Sequence, residues 1–237
     1  MKPSSIYTPL PDYLLQSFRA LDTCLVAEAI EHFDIRLRNE GYSTSNTLHC
    51  RFPELPTMVG YAVTIRVRSA NPPMEGGAYR ETADSWSVVD GYPGPQIAVI
   101  QDVDSKPGVG AFVGELHAAV LQRLGCTGVV TNGAVRDLAG AERRGFPMFS
   151  ASVSPSHAYV HITDVGHPVE IAGLTIHTGD LLMGDRHGIV RIPRKIAATL
   201  TEEAARIAAR KRELLTYCDS EKFSIQDFRE RVKSYRG

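Results

Sequence analysis

Arg136 and Asp137 stand side by side in the segment Asn132-Gly133-Ala134-Val135-Arg136-Asp137-Leu138-Ala139-Gly140. An arginine offers a fixed planar cation to a substrate anion or a developing enolate, and a carboxylate offers the hard oxygen ligand that Mg²⁺ or Mn²⁺ takes. Alone, such a dipeptide is usually a solvated or mutually paired feature of a turn. A third residue changes its meaning: twenty residues separate Glu115 from Arg136, giving the pattern acid-x20-Arg-Asp. The pattern predicts Glu115 at the start of a helix and the Arg-Asp pair at the carboxyl end of the following strand. In a strand-helix-strand unit those two points return to the same edge of the sheet, where open α/β sheets bind ligands. Helix amides exposed after Gly114, at Leu116 and His117, are suited to hold a carboxylate.

Other chemistry-bearing residues carry weaker signals. The loop Gly108-Val109-Gly110-Ala111-Phe112-Val113-Gly114 follows a strand and precedes a helix, but its glycines are spaced G-x-G-x-x-x-G and no G-K-[ST] follows. A dinucleotide, phosphate or methyl-donor loop is therefore not indicated. His157 and His161 are four apart, yet Pro155 and the β-branched Val160, Ile162 and Thr163 predict a strand, on which that spacing fails as a zinc motif. Cys24, Cys50, Cys126 and Cys218 form no C-x-x-C pair and read as small buried hydrophobes rather than metal ligands or disulfides.

The elements that must position the acid and the Arg-Asp pair follow from periodicity. A helix is expected from Asp22 to Phe33, where Leu25, Val26, Ala29, Ile30 and Phe33 share a face. Tyr61 to Arg68 alternates like a half-buried strand, while Ile97 to Ile100 and Gly128 to Thr131 are short apolar runs of the buried type. Glu115 to Leu124 and Leu138 to Arg144 read as helices, each followed by a glycine. Between Ser69 and Pro95, prolines and glycines predict a site-forming loop or lid with a short helix near Arg80 to Val88. After Tyr159 the chain changes to short strands with turns at Gly166-His167-Pro168, Ala172-Gly173, Gly179-Asp180 and Gly188. It closes with a long helix over Lys195 to Leu215 and a short one opened by Ser224. The alternation of strands and helices predicts an α/β sheet with parallel pairing.

Composition sets the outer bounds. The chain has 237 residues, 26 Lys+Arg against 27 Asp+Glu and a formal net charge of −1, so no global positive field gathers nucleic acid. Its longest uncharged central stretch, Gly145 to Thr163, is too polar to span a bilayer, and the amino-terminal residues lack the apolar core of a secretion signal. A cytoplasmic protein with neither membrane nor nucleic-acid partner is expected. No repeat or linker is visible, so residues 1–237 read as one domain, with a core over about 21–193 and a helical arm over about 194–232. That arm is suited to pack on a neighbouring subunit.

The run Gly114-Glu115-Leu116-His117-Ala118, then Gly128 to Asp137, then Gly145-Phe146-Pro147-Met148-Phe149, resembles the RraA-like family that contains 4-hydroxy-4-methyl-2-oxoglutarate aldolases. Val59 to Thr64, Gly179-Asp180-Leu181-Leu182 and His187 to Pro193 extend the match to roughly Leu21 through Leu215. The resemblance implies an α/β swivelling β/β/α fold, a homotrimer or dimer of trimers, and a site between subunits. It implies a lyase dependent on Mg²⁺ or Mn²⁺ that releases pyruvate from 4-hydroxy-2-oxo acids and also decarboxylates oxaloacetate. Transferred to this chain, Asp137 would bind the metal directly, Arg136 would contact the keto-acid oxygen, and Glu115 would act through a water. Gly114 and the amides of Leu116 and His117 would receive the pyruvyl carboxylate, and Glu213 of a neighbouring subunit would also reach the metal through water. Departures at His117, Arg186-His187 and the histidine-rich run Ser154 to His161 bear on substrate choice. The family also holds the regulator of ribonuclease activity A, which acts by binding a ribonuclease; Glu115 favours the enzyme branch, since the regulator branch looks short of that acid.

Overall fold

The computed structural model describes residues 7–43, 46–74, 86 and 89–233. Eleven strands are named in chain order: β1 (His49–Cys50), β2 (Met58–Arg68), β3 (Gln96–Asp102), β4 (Ala111–Val113), β5 (Cys126–Val135), β6 (Met148–Val153), β7 (His161–Val165), β8 (Val169–Ile171), β9 (Leu174–Ile176), β10 (Leu181–Asp185) and β11 (Gly188–Ile192). Among the described residues these α-helices accompany them: α1 (Asp12–Arg19), α2 (Thr23–Glu31), α3 (Glu115–Arg123), α4 (Leu138–Arg143), α5 (Ala197–Cys218) and α6 (Ile225–Lys233). Nine of the strands form one mixed sheet in the order β1-β6-β5-β3-β2-β10-β11, with β4 also on β5 and β7 on β2. Its centre, β6-β5-β3-β2, is parallel, and the flanking pairs with β1, β7 and β10 are antiparallel. The expected parallel α/β unit is therefore the middle of a larger mixed sheet.

The alternation of side chains along a strand sends neighbours to opposite faces, and this sorts the core into layers. Odd positions of β2 face the helices: Val59 and Tyr61 meet α1, α2 and α5, while Val63, Ile65 and Val67 belong to the cluster around α3 and α4. Ala62, Ile97, Val99, Val130 and Leu182 point the other way, onto the two-stranded sheet β8-β9 through Val169, Ile171, Leu174 and Ile176. Small sheet, large sheet and helices thus make the three layers of a β/β/α arrangement. The β8-β9 turn sits at Ala172-Gly173, both with positive φ (52° and 77°), as a tight two-residue hairpin turn requires.

Two sequence expectations are corrected, and one helix is added to them. β2 begins at Met58 and is buried on both faces over most of its length, because it lies between β3 and β10 and beneath both outer layers. Helix α1, unassigned by periodicity, forms after Pro11 and buries Leu14, Leu15 and Phe18. Of the cysteines, Cys126 is buried and Cys50 partly so, but Cys24 and Cys218 are exposed, each lying on the outer side of a helix. The helix expected over Arg80 to Val88 falls, apart from residue 86, outside the described residues.

Helix α2 is fixed at its start by two carboxylates. Asp22 Oδ1 accepts from Leu25 N at 2.7 Å, and Asp185 accepts from Thr23 N (2.7 Å), Thr23 Oγ1 (2.7 Å) and His187 N (2.8 Å). Burial by itself raises the Asp185 carboxyl, but the bonds from Thr23 and His187 outweigh it and hold the group below the ordinary range. Asp185 therefore adds stability that is present above the ordinary carboxylate pKa and lost as pH falls through its lowered value. Asp185→Ala is expected to lower unfolding stability at pH 7 by about 2–3 kcal/mol in urea titration. A change below about 0.5 kcal/mol would show that the α2 start is held otherwise.

Candidate functional site

The site is built by two adjacent parallel strands that end together. β4 lies along the last residues of β5, with Ala111 opposite Ala134 and Val113 opposite Val135. Arg136 N then donates to Val113 O at 2.9 Å. The residues that follow each strand, Gly114-Glu115 and Arg136-Asp137, consequently emerge side by side at the carboxyl edge of the sheet. β4 itself was hidden in the sequence, because a three-residue strand inside a glycine-bearing loop has no period of its own. The glycines of that loop are explained by close packing. A methyl on Gly110 would stand 2.2 Å from the carbonyl oxygen of His157, and one on Gly114 would stand 2.6 Å from Asp137 Oδ2 and 2.9 Å from Arg136 Cγ.

Asp137 occupies the N-cap position of α4 in the left-handed region, φ 51° and ψ 42°, and its side chain makes no capping bond. That conformation is sparsely populated by non-glycine residues, aspartate being among the better tolerated, and persists where the surroundings impose it. Its carboxylate is 46% exposed and lies 3.3 Å from Arg136 Nε. It is not locked in a buried ion pair. Arg136 is 29% exposed, yet its Nε is buried and has no hydrogen-bond acceptor among the described residues. A buried N–H in this state gains from an oxygen placed beside it.

Glu115 opens α3 and its carboxylate lies over the first turn of α4, where a methyl on Gly140 would be 2.1 Å from Oε2. Arg144 Nε is 3.6 Å from Oε1 and Arg143 Nη2 is 4.0 Å from Oε2. The acid, the arginine and the aspartate are thus gathered around the α3 start and the α4 start. The first intrahelical bond of α3 runs from Ala118 N to Gly114 O at 2.9 Å, so the amides of Leu116 and His117 lie in the turn whose N–H groups point out of the helix end. The Leu116 side chain is exposed beside them.

His117 is placed differently from a pocket-lining residue. Its imidazole is 2% exposed and packs 5.3 Å from the Phe112 ring and 5.8 Å from Trp86. Burial pushes it down to about 4, with His157 acting in the same sense. Because the folded value lies below the ordinary one, the unfolded chain binds the extra proton first, and stability is lost as pH falls from about 6.5 toward 4. His117 is expected to account for up to about 3 kcal/mol of that loss. Urea titrations at pH 7 and 4.5 should show a shallower pH dependence in His117→Leu than in the wild type; equal slopes would contradict this.

Among the remaining sequence candidates, Glu213 lies on α5, in the other helical group, and pairs with Arg210 Nη1 at 2.9 Å. His157 Nδ1 contacts Ala111 O at 2.7 Å, His161 Nδ1 contacts Tyr159 O at 2.8 Å, and His187 Nδ1 lies 3.2 Å from Asp185. Among the described residues no three His, Cys, Asp or Glu side chains cluster as a ready-made metal cage. A cation held here would have one protein carboxylate as a direct ligand, which suits Mg²⁺ or Mn²⁺ with several waters rather than zinc.

Sequence reasoning missed a supporting network at the same edge. Asp102, at the end of β3, is buried and accepts from Ser69 Oγ (2.9 Å), Gly108 N (2.9 Å) and Asp104 N (3.1 Å). Asn132 holds the Asp102 backbone from β5, its Oδ1 accepting from Asp102 N at 2.7 Å and its Nδ2 donating to Asp102 O at 2.9 Å. The network ties the ends of β2, β3 and β5 to the loop that leads into β4. The available signal was positional: Asp102 follows a buried apolar run just as Arg136 follows the next one.

Comparison with known proteins places the chain by family and fold. A model of the RraA-like family, described as Aldolase/RraA, matches residues 23–191. A protein of Halalkalibacterium halodurans, provisionally named 4-hydroxy-4-methyl-2-oxoglutarate aldolase, is 24% identical over 184 residues, 77% of each chain. Among solved structures, an uncharacterized protein of Pseudomonas syringae pv. tomato superposes with a TM-score of 0.73 at 22% identity, covering 97% of this chain and 99% of that one. RraAS2 of Streptomyces coelicolor, an unusual member of the RNase ES inhibitor RraA family, superposes at 0.66 and 18% identity over 89% of this chain and 98% of its own. With a family match over most of its length and a β/β/α fold shared with these structures, the chain belongs to the RraA-like family.

Proposed function

We propose that this protein is a divalent-metal-dependent lyase that cleaves 4-hydroxy-2-oxo acids, of the 4-hydroxy-4-methyl-2-oxoglutarate type, to pyruvate and also decarboxylates oxaloacetate. The observation that carries the reading is the convergence of Glu115, Arg136 and Asp137 where β4 and β5 end, with Asp137 strained, partly exposed and free of a capping role.

Asp137 would hold Mg²⁺ or Mn²⁺ directly, with Glu115 and a neighbouring subunit's copy of Glu213 acting through water. The cation supplies Lewis-acid polarisation of the 2-keto oxygen. The amides of Leu116 and His117, beside the side-chain-free Gly114, receive the pyruvyl carboxylate at the positive end of α3. Glu115 would draw the proton from the C4 hydroxyl through a water, the C3–C4 bond would break to leave C4 as the carbonyl of the second product and its electrons in the pyruvate enolate, and return of that proton to C3 would give pyruvate. Arg136 donates to the oxygen on which that charge develops. Loss of CO₂ from oxaloacetate leaves the same enolate, so one arrangement serves both reactions, and no lysine is required. The reading includes a cytoplasmic homotrimer or dimer of trimers.

A lactate-dehydrogenase-coupled screen of 4-hydroxy-2-oxo acids and oxaloacetate tests it. Pyruvate release that EDTA abolishes and Mg²⁺ or Mn²⁺ restores is the expected result. No pyruvate from any of these acids, together with retention of a ribonuclease in a pulldown, would replace the lyase with a protein-binding regulator.

A further inference from the structure

Glu115 is held against Gly140 much as Asp137 and Arg136 lie over Gly114. Its carboxylate fills the space that a side chain at position 140 would take: a methyl on Gly140 would lie 2.1 Å from Oε2 and 2.3 Å from Cδ. Gly140 is buried inside α4, and its φ is not among the positive values that favour glycine. Even in the first turn of a helix alanine is the better helix former, by up to about 1 kcal/mol. The backbone therefore gives no reason for glycine at this position, and the Glu115 side chain does. Beyond Gly140, Arg144 and Arg143 close the far side of the carboxylate at 3.6 and 4.0 Å.

Building on the lyase reading, we propose that Gly140 and Arg144 are positioning residues for Glu115: Gly140 leaves the slot that admits the carboxylate, and Arg144 holds it there beside the Asp137 end of α4. Both partners of the Arg144 pair are about 40% exposed (41% and 42%), so the pair adds little to folding. Its effect lies in where the Glu115 oxygens stand. Arg143, the more exposed and more distant of the two arginines, is auxiliary.

The test uses Gly140→Ala, Arg144→Ala and Arg144→Lys, each alone and combined with Glu115→Ala, with thermal unfolding, metal-free crystal structures and steady-state pyruvate release as readouts. Gly140→Ala should keep or raise the melting temperature while lowering kcat about tenfold and changing KM less than about twofold. Arg144→Ala should lower kcat about three- to fivefold, and Arg144→Lys should restore it to within about twofold of wild type. In the Glu115→Ala background the same substitutions should change kcat by less than about twofold, because there is no carboxylate left to place. Wild-type turnover in Gly140→Ala, or an equal loss with and without Glu115, would overturn the proposal. Should the wild type release no pyruvate at all, the lyase reading fails, and the crystal structures still decide this one: Glu115 displaced in Gly140→Ala and Arg144→Ala supports it, Glu115 unmoved in both refutes it.

Discussion

Asp137→Ala is expected to abolish metal binding and to lower pyruvate release by about 10³-fold, the largest effect of any single substitution in the chain. Asp137 is the direct carboxylate ligand of the proposed site, and among the described residues no second acid stands ready to replace it. Glu115 is turned across Gly140 toward Arg144, and Glu213 lies in the other helical group. The left-handed backbone at Asp137 allows a sharper version of the experiment. A side chain in that region costs about 1 kcal/mol, which glycine does not incur, although glycine loses more freedom on folding. The two terms nearly cancel, so Asp137→Gly should melt within about 2 °C of wild type while losing activity as fully as the alanine variant. A stable, inactive Asp137→Gly protein would identify the strain as retained for function. An active one would remove Asp137 from the chemistry.

Arg136→Ala is expected to separate binding of the cation from turnover. Arg136 Nε lies 3.3 Å from Asp137 Oδ2, where it competes for the oxygen that the cation needs. Removing the guanidinium should therefore leave Mn²⁺ affinity at least as tight as in wild type. Turnover should nevertheless fall about 10²- to 10³-fold, as for loss of a donor to a developing oxyanion. Arg136→Lys keeps the charge but not the planar fork and should recover only part of the rate. The Arg136 amide still donates to Val113 O in both variants, so the strand ends stay together. Loss of metal affinity in Arg136→Ala would assign the arginine to building the site rather than to the reaction.

The acid-x20-Arg-Asp spacing was legible because it reports topology: one helix and one strand separate residues that return to the same edge. The buried runs at Ile97 to Ile100 and Gly128 to Thr131 were legible for a related reason, since continuous apolar stretches suit central parallel strands. What escaped notice depends on contacts distant in sequence. β4 exists only because β5 offers its edge, and the full burial of β2 depends on β10 and on both outer layers. The role of Asp102 as an acceptor for three donors follows from where Ser69 and Gly108 are brought. His117 shows the converse. Its position next to the site is evident from the sequence, but only the packing of Phe112 and Trp86 turns the ring inward.

Titration of Mn²⁺ into the metal-free protein, followed by the loss of the free-ion electron paramagnetic resonance signal, addresses the central claim without relying on any choice of substrate. The wild type should bind one ion per chain, Arg136→Ala should bind as well, and Asp137→Asn, which keeps the side-chain shape, should bind none in the same range. Equal binding by wild type and Asp137→Asn, or none by either, would contradict a cation held at the joint ends of β4 and β5.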